Sequence, residues 1–242
     1  MVHLGIIPDG NRRWCKLNNY KLEDLPKKWI EFTVKILKQW KNLNELNELN
    51  ELNEINEISI YISSIDNINR NDDTKNIIEK TIEEMIDIIN NVEEKYENKF
   101  EDDTRNFIKD IFKNYIEINL IGDINKLSKN IKNKIIKRKK QYEKEYKKIY
   151  KKKYVLNIAY AYDYNEDILN EKFKNNKNYN RKQGNIDLII RSGGEKRLSG
   201  FFPTKTIYSE LFFIDKLWLD IDMYDIKNIL LDYKKRNRRF GK

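Results

Sequence analysis

Short apolar runs alternating with helix-periodic stretches constrain this chain most, and two of those runs end in turns of unusual composition. Leu4 to Ile7 leads into Pro8-Asp9-Gly10-Asn11-Arg12-Arg13-Trp14. Far downstream, Ile186 to Ile190 leads into Arg191-Ser192-Gly193-Gly194-Glu195-Lys196-Arg197-Leu198-Ser199. Continuous apolar runs of this kind suit strands covered on both faces, as in parallel sheets. A glycine-containing turn after a strand offers backbone N–H groups to anions, arginine grips phosphate oxygens in a fork, and a carboxylate can hold magnesium. Either turn alone is a weak signal. Together they predict two sites for phosphorylated groups, with a magnesium ion between ligand and protein.

The other elements follow from periodicity. Lys27 to Trp40 predicts a helix with Trp29, Phe32, Ile36, Leu37 and Trp40 along one face, which Thr33 shares. Ile58 to Ile62 reads as a strand, followed by a polar turn from Ser63 to Arg70. Between Thr74 and Tyr96, residues Ile78, Ile82, Met85, Ile86, Ile89 and Val92 recur at helical spacing. Helices are further expected at Thr104 to Lys113, Ile131 to Lys152, near Asp167 to Lys174, and at Tyr224 to Arg238. Strands are expected at Ile116 to Ile121, Tyr154 to Tyr160, Ile186 to Ile190 and Ile207 to Phe213. This order predicts an α/β fold with a central, largely parallel β-sheet flanked by helices. No stretch rich in Pro, Gly or Ser divides the 242 residues, so a single domain over 1–242 is expected.

One segment breaks the pattern. From Asn42 to Glu57 a Leu/Ile-Asn-Glu triplet repeats, with apolar residues at 43, 46, 49, 52 and 55. On an α-helix a strict period of three slips by roughly 60° per repeat, so the stripe leaves any one face. A long 3₁₀-helix is improbable. The reading is a low-complexity insertion at about 42–57, peripheral to the fold.

Composition removes several function classes. A single cysteine, Cys15, excludes an internal disulfide and fits a reducing compartment. A single histidine, His3, excludes a His-rich metal site and leaves little room for a Ser-His-Asp arrangement. The chain begins almost directly with its first strand, so no signal peptide is expected. No apolar run is long enough to span a bilayer, and an intracellular, cytoplasmic protein is expected. The net charge of +9 is concentrated in Lys132 to Lys153 and Lys234 to Arg239. A solvated helix face explains the first run, and peripheral contact with an anionic membrane is the sharper reading. Tyr142, Tyr146 and Tyr150 recur every four residues, which suits a helix face better than a base-stacking platform, so no nucleic acid is expected.

Six ordered blocks carry a family resemblance: D-G-N-R-R-W at 9–14, S-I-D-N-I-N-R at 64–70, N-I-A-Y at 157–160, R-S-G-G-E-K-R-L-S at 191–199, Y-S-E-L-F-F at 208–213 and N-R-R-F-G at 237–241. In this order, across nearly the whole chain, they resemble the cis-prenyltransferases, the undecaprenyl and dehydrodolichyl diphosphate synthases. The resemblance implies an apolar tunnel between the sheet and two helices. It implies magnesium-dependent condensation of isopentenyl diphosphate with an allylic prenyl diphosphate to give a Z-polyprenyl diphosphate, and a homodimer.

What the resemblance implies for single residues is specific. Asp9 matches the magnesium ligand, and Glu210 the glutamate that helps hold the metal. Gly10, Asn11, Arg12, Arg13 and Trp14 would surround the allylic diphosphate, with Arg70 as a further phosphate contact. Asn67 corresponds to the asparagine linked to proton removal, with Ser64 and Asp66 nearby; an amide is a poor base, so its part must run through oriented diphosphate oxygens or water. Arg191, Arg197 and Ser199 match the grip on isopentenyl diphosphate. Arg239 and Gly241 match an R-x-G tail that reaches across a dimer interface.

The chain also departs from the pattern. Lys21 to Trp29 stands where the family has an arginine and a G-H-x-x-G segment, leaving Lys21, Lys27 or Lys28 to supply charge without arginine's fork. Ile68 replaces an aromatic, Thr204-Lys205 replaces Trp-Gln, and Leu219 replaces a proline. Two other readings use the same chain differently: a weakly active or accessory subunit of a heteromeric prenyltransferase, and a basic module for RNA or anionic lipid. Accessory subunits tend to lose D-G-N and R-x-G-G, and both are kept here. Salt-dependent RNA binding indifferent to Asp9 would mark the second.

Overall fold

All the strands that the sequence predicts join one parallel sheet. In the computed structural model, which describes residues 2–45, 55–70, 72–95, 116–141, 154–173 and 185–239 together with 106 and 144, the strands are β1 (Val2–Ile7), β2 (Ile55–Tyr61), β3 (Ile116–Ile121), β4 (Tyr154–Ala159), β5 (Leu188–Arg191) and β6 (Glu210–Phe213). Their order across the sheet is β3-β4-β2-β1-β5-β6, and every pairing is parallel. All residues of β1 and β5 are buried, as continuous apolar composition requires of central parallel strands.

The helices are α1 (Asn11–Leu17), α2 (Leu25–Glu45), α3 (Ile65–Ile68), α4 (Thr74–Lys95), α5 (Lys129–Gln141), α6 (Tyr164–Phe173) and α7 (Met223–Lys235). On one sheet face Leu4, Ile6, Ile60, Leu188 and Ile190 pack with Trp29 and Phe32 of α2 and Leu230 of α7. Thr33 lies on this apolar face because its hydroxyl donates to the Trp29 carbonyl at 2.8 Å, which removes the cost of burying it. On the other face Ile7, Ala159 and Ile189 pack with Phe201, Phe202 and Tyr162. The same face holds a buried polar patch: His3 Nε2 is 2.8 Å from Ser59 Oγ, which also accepts from Asn157 at 3.0 Å.

The triplet repeat is shorter than its sequence period suggests. Helix α2 absorbs its first residues up to Glu45, and β2 takes residues 55–57. Ile55 is buried in the main core opposite Val2, so the end of the repeat is strand rather than insertion. Residues 46–54 lie outside the described residues, as do 140s tyrosines 142, 146 and 150, the 104–113 helix apart from Asn106, and residues 240–242. Within the basic run, Lys134 bonds Glu83 and Asp87 of α4 at 2.7 and 2.8 Å, and Arg138 is buried. Part of that charge therefore faces the protein, not solvent. Among the described residues no helix is long and apolar enough to cross a membrane.

Between the sheet and helices α2 and α4 lies an apolar cavity of about 270 Å³. Ile6, Ile58, Leu156, Phe32, Ile36, Trp40 and Met85 are among its walls. Trp218 closes one side, with its ring 5.0 Å from Phe32 and 5.9 Å from Trp29.

Candidate active site

Strand order reverses at β1, which has β2 on one side and β5 on the other. Ligands of open α/β sheets bind beyond the strand C-termini at such a point. The two turns singled out in the sequence leave β1 and β5 there, side by side.

Asp9 follows β1. Its Oδ1 accepts from the Gly10 N–H at 2.6 Å and lies 3.6 Å from Arg13 Nη2, while Oδ2 accepts from Arg191 Nη2 at 2.8 Å. Its backbone carbonyl accepts from Ser192 Oγ at 2.8 Å and from the Trp218 N–H at 3.1 Å. Gly10 turns the chain at φ 96°, where its hydrogen leaves room for Leu217; a Cβ would come 2.7 Å from that side chain. Asn11 donates to the Pro8 carbonyl at 2.7 Å and accepts from Trp29 Nε1 at 3.1 Å, tying the turn to α2.

Arg191 ends β5 and is buried. Besides Asp9, its guanidinium donates to Ser199 Oγ at 2.9 Å and to the Arg197 carbonyl. Its Nε is buried without a hydrogen-bond partner among the described residues. Gly193, at φ 85°, lets the second turn lie against the first: a Cβ there would be 2.7 Å from Arg13 Nη2 and 3.1 Å from Asp9 C. The amides of Gly193 and Gly194 are taken by the carbonyls of Lys216 and Ile214, so the glycines provide close approach rather than an anion nest. Arg197 is exposed and pairs with Glu195.

The 64–70 turn flanks this pair. Ser64 caps α3, its Oγ accepting from the Asn67 N–H, and Asn67 Oδ1 accepts from the Ser64 N–H, both at 3.2 Å. Asn67 is thus held in a reciprocal cap, and Asp66 and Arg70 are exposed beside it. Arg12 reaches the next segment, bonding Asp72 at 2.9 Å. The Thr74 hydroxyl first, and then Arg12, hold the Asp72 carboxyl down at a pKa of about 2. Trp14 stacks on Tyr20 and donates to Asp220 at 2.7 Å.

The structure therefore brings together Asp9, Gly10, Asn11, Arg13, Arg191 and Ser199, with Arg12, Arg197 and the 64–70 turn around them. It does not bring Glu210 there. Glu210 is level with Leu188 at the start of β6, three residues of strand below Arg191, roughly 10 Å away. Its carboxylate bonds Arg236 at 2.9 Å. Within one chain a length of strand therefore separates Asp9 from Glu210, the two residues that the resemblance assigns to the metal. Arg239 also lies below: its neighbour Arg238 bonds Asp187, just before β5, at 2.7 Å. Gly241 lies outside the described residues.

Three residues of the site escaped the sequence reading. Ser192 holds the Asp9 carbonyl, and its position inside R-S-G-G was the available signal. Tyr61 donates to the Ser199 carbonyl at 3.3 Å and stacks on Phe201. Burial is the main cause that pushes its phenol up to about 12, with Asp66 adding to it. Asp72 had no local signal. Of the lysines standing in for the missing arginine, Lys28 bonds Glu31 at 2.8 Å and lies over the Tyr20 ring.

A divalent cation is compatible with this donor set. Among the described residues no cluster of three or more acidic, His or Cys groups forms a metal cage. One half-buried carboxylate fits magnesium, which commonly binds through one or two carboxylates and substrate phosphates, while the arginines and the unpartnered Arg191 Nε suit the phosphate oxygens.

The sequence profile of the family described as putative undecaprenyl diphosphate synthase matches residues 7–241. A tritrans,polycis-undecaprenyl-diphosphate synthase (geranylgeranyl-diphosphate specific) of Sulfurisphaera tokodaii is 31% identical over 248 residues, covering 99% of this chain and 87% of its own. An isoprenyl transferase of Rickettsia typhi is 27% identical over 254 residues, covering 99% and 97%. Among solved structures, lavandulyl diphosphate synthase from Lavandula x intermedia, in complex with dimethylallyl diphosphate, shares the fold with a TM-score of 0.71. It is 21% identical and covers 99% of this chain and 98% of its own.

Proposed function

Because the chain belongs to the undecaprenyl diphosphate synthase family of prenyltransferases, we propose that it condenses isopentenyl diphosphate with an allylic prenyl diphosphate, with magnesium, to make a Z-polyprenyl diphosphate. One observation carries this reading: the Asp9 carbonyl is held by the backbone N–H of Trp218, whose side chain walls the apolar cavity. A charged site for diphosphates and a dry space for hydrocarbon thus share one residue.

In the reaction the allylic C–O bond to diphosphate breaks, a C–C bond forms to the isopentenyl unit, and a proton leaves beside the new bond. Asp9 would hold magnesium, which would supply positive charge against the departing diphosphate. Arg12, Arg13 and the Gly10-Asn11 turn hold the allylic diphosphate, and Arg70 adds charge at its edge. Arg191, Arg197 and Ser199 hold the isopentenyl diphosphate, and the fixed guanidinium of Arg191 requires little reorganisation as charge moves. Asn67, locked against Ser64, orients diphosphate oxygens or water that accept the proton. The hydrocarbon enters the cavity between Phe32, Ile36 and Ile58.

The active unit is a homodimer on this reading. Ile207, Tyr208 and Leu211 are exposed on and beside the edge strand β6, an apolar margin suited to a second copy. Peripheral membrane contact would serve a lipid product. The test is incubation of purified protein with labelled isopentenyl diphosphate and a series of allylic diphosphates, with and without magnesium. Label passing into lipid only with both a primer and the metal supports the proposal; no transfer with any primer overturns it.

A further inference from the structure

The two half-sites are joined through Tyr61, which ends β2 on the sheet face away from the apolar cavity. Its ring stacks on Phe201 with centroids 5.2 Å apart and meets Tyr162 edge-on at 5.9 Å. Phe202 closes the group, 4.8 Å from Phe201 and 4.7 Å from Tyr162. Phe201, Phe202 and Tyr162 are buried, so these rings fix where the half-buried phenol stands.

The backbone beside it is strained. Ser199 has φ 51° and Phe202 φ 43°, left-handed values that a bulky side chain rarely adopts. Such residues persist only where their surroundings over-determine them, and they gather at functional sites. Phe202 is held by the buried rings, but Ser199 is exposed. Hydrogen bonds must hold it: the Tyr61 hydroxyl donates to its carbonyl at 3.3 Å, and its Oγ accepts from Arg191 Nη1 at 2.9 Å.

On its other side the Tyr61 oxygen bonds the Ser64 hydroxyl, with Asp66, Asp163 and Arg191 close enough to act on it electrostatically. With the Tyr61 proton committed to Ser199, Ser64 is the donor in that pair. Ser64 Oγ accepts in turn from the Asn67 N–H at 3.2 Å. One line of hydrogen bonds therefore runs from Asn67 through Ser64, Tyr61 and Ser199 to Arg191, and bonds in such a line polarise one another.

We infer that Tyr61 is a positioning residue: its hydroxyl sets the isopentenyl diphosphate grip at Ser199 in register with the proton-removing turn at Ser64 and Asn67. This rests on the prenyltransferase reading above. A phenol raised to about 12 keeps its proton near neutral pH, so Tyr61 serves as a donor and not as the base.

Tyr61→Phe tests it, because it keeps the ring and removes only the oxygen. Near neutral pH the KM for isopentenyl diphosphate should rise about tenfold and kcat fall by a similar factor, with the KM for the allylic primer unchanged. Calorimetric binding of isopentenyl diphosphate alone should weaken about tenfold as well. In a Ser199→Ala background the same substitution should weaken that binding by clearly less, since both changes act at one contact. The thermal midpoint reports folding, and a purely structural role would lower it while sparing KM and binding. Unchanged KM and binding in Tyr61→Phe, or a loss that simply adds to that of Ser199→Ala, overturns the inference. If the wild type binds isopentenyl diphosphate yet elongates no primer, the prenyltransferase reading fails instead, and the binding comparison still decides whether Tyr61 sets Ser199.

Discussion

Asp9 Oδ2 and Arg191 Nη2 are 2.8 Å apart, joining the ends of two adjacent strands that lie 182 residues apart in sequence. Arg191 is buried, whereas Asp9 is partly open to solvent. The pair therefore stabilises the turns while leaving one face of the carboxylate accessible. Loss of the carboxylate should uncover a buried cation and remove the metal contact together. Asp9→Ala is expected to lower turnover by about 100-fold or more. It should also cost about 1–3 kcal/mol of stability, read as a lower thermal midpoint. Asp9→Asn keeps an acceptor for Arg191 and should recover most of the stability but little of the turnover. Near-normal turnover in magnesium would contradict the assignment.

Gly193 tests the contact between the two turns. Gly193→Ala places a methyl 2.7 Å from Arg13 Nη2 at a positive φ. Strain of about 1–3 kcal/mol is expected, with turnover falling further than Gly194→Ala, whose Cβ meets nothing nearer than Asp215 at 3.7 Å. Equal effects at the two glycines would show that φ alone, not the approach to Arg13, matters.

Tyr61 gives the fold an alkaline signature. Its phenol is pushed from 10.0 up to about 12, mainly by burial. A raised folded value means that the stability it contributes is whole below about pH 10 and is lost as pH rises through about 12, because the unfolded chain ionises first. Tyr160 and Tyr233 are also raised, so the comparison must be with Tyr61→Phe. Thermal midpoints of the two proteins should separate between these pH values, with wild type falling faster; parallel curves would contradict the assignment.

The sheet was legible in the sequence because its middle strands β1 and β5 are buried throughout and therefore largely apolar. Strand Ile116–Ile121 and the start of α4 fall where periodicity puts them. The two site turns were legible for a similar reason: Asp9, Gly10, Arg191 and Gly193 are packed densely around short strands, and their residue types serve little else. What the sequence concealed is distance. Nothing in Y-S-E-L-F-F says that Glu210 starts its strand while Arg191 ends the neighbouring one. Nor does composition reveal that Arg12 pairs with Asp72, a contact across 60 positions. Ile55 was misread because its triplet neighbours hid a strand residue inside a repeat.

The repeat itself remains a peripheral insertion in this account, bounded more tightly by the end of α2 and the start of β2. Deleting two triplets, residues 46–51, should leave the thermal midpoint and turnover nearly unchanged, since a period of three holds no stable buried helical face. Loss of soluble expression would contradict that assignment.

The geometry of the double bond made in each turnover tests the central claim most directly. Purified protein, magnesium, isopentenyl diphosphate and an allylic primer should yield a longer prenyl diphosphate in which every added unit is Z, read by nuclear magnetic resonance of the isolated product. Addition of E units, or isopentenyl diphosphate recovered unchanged with every primer, would contradict the account.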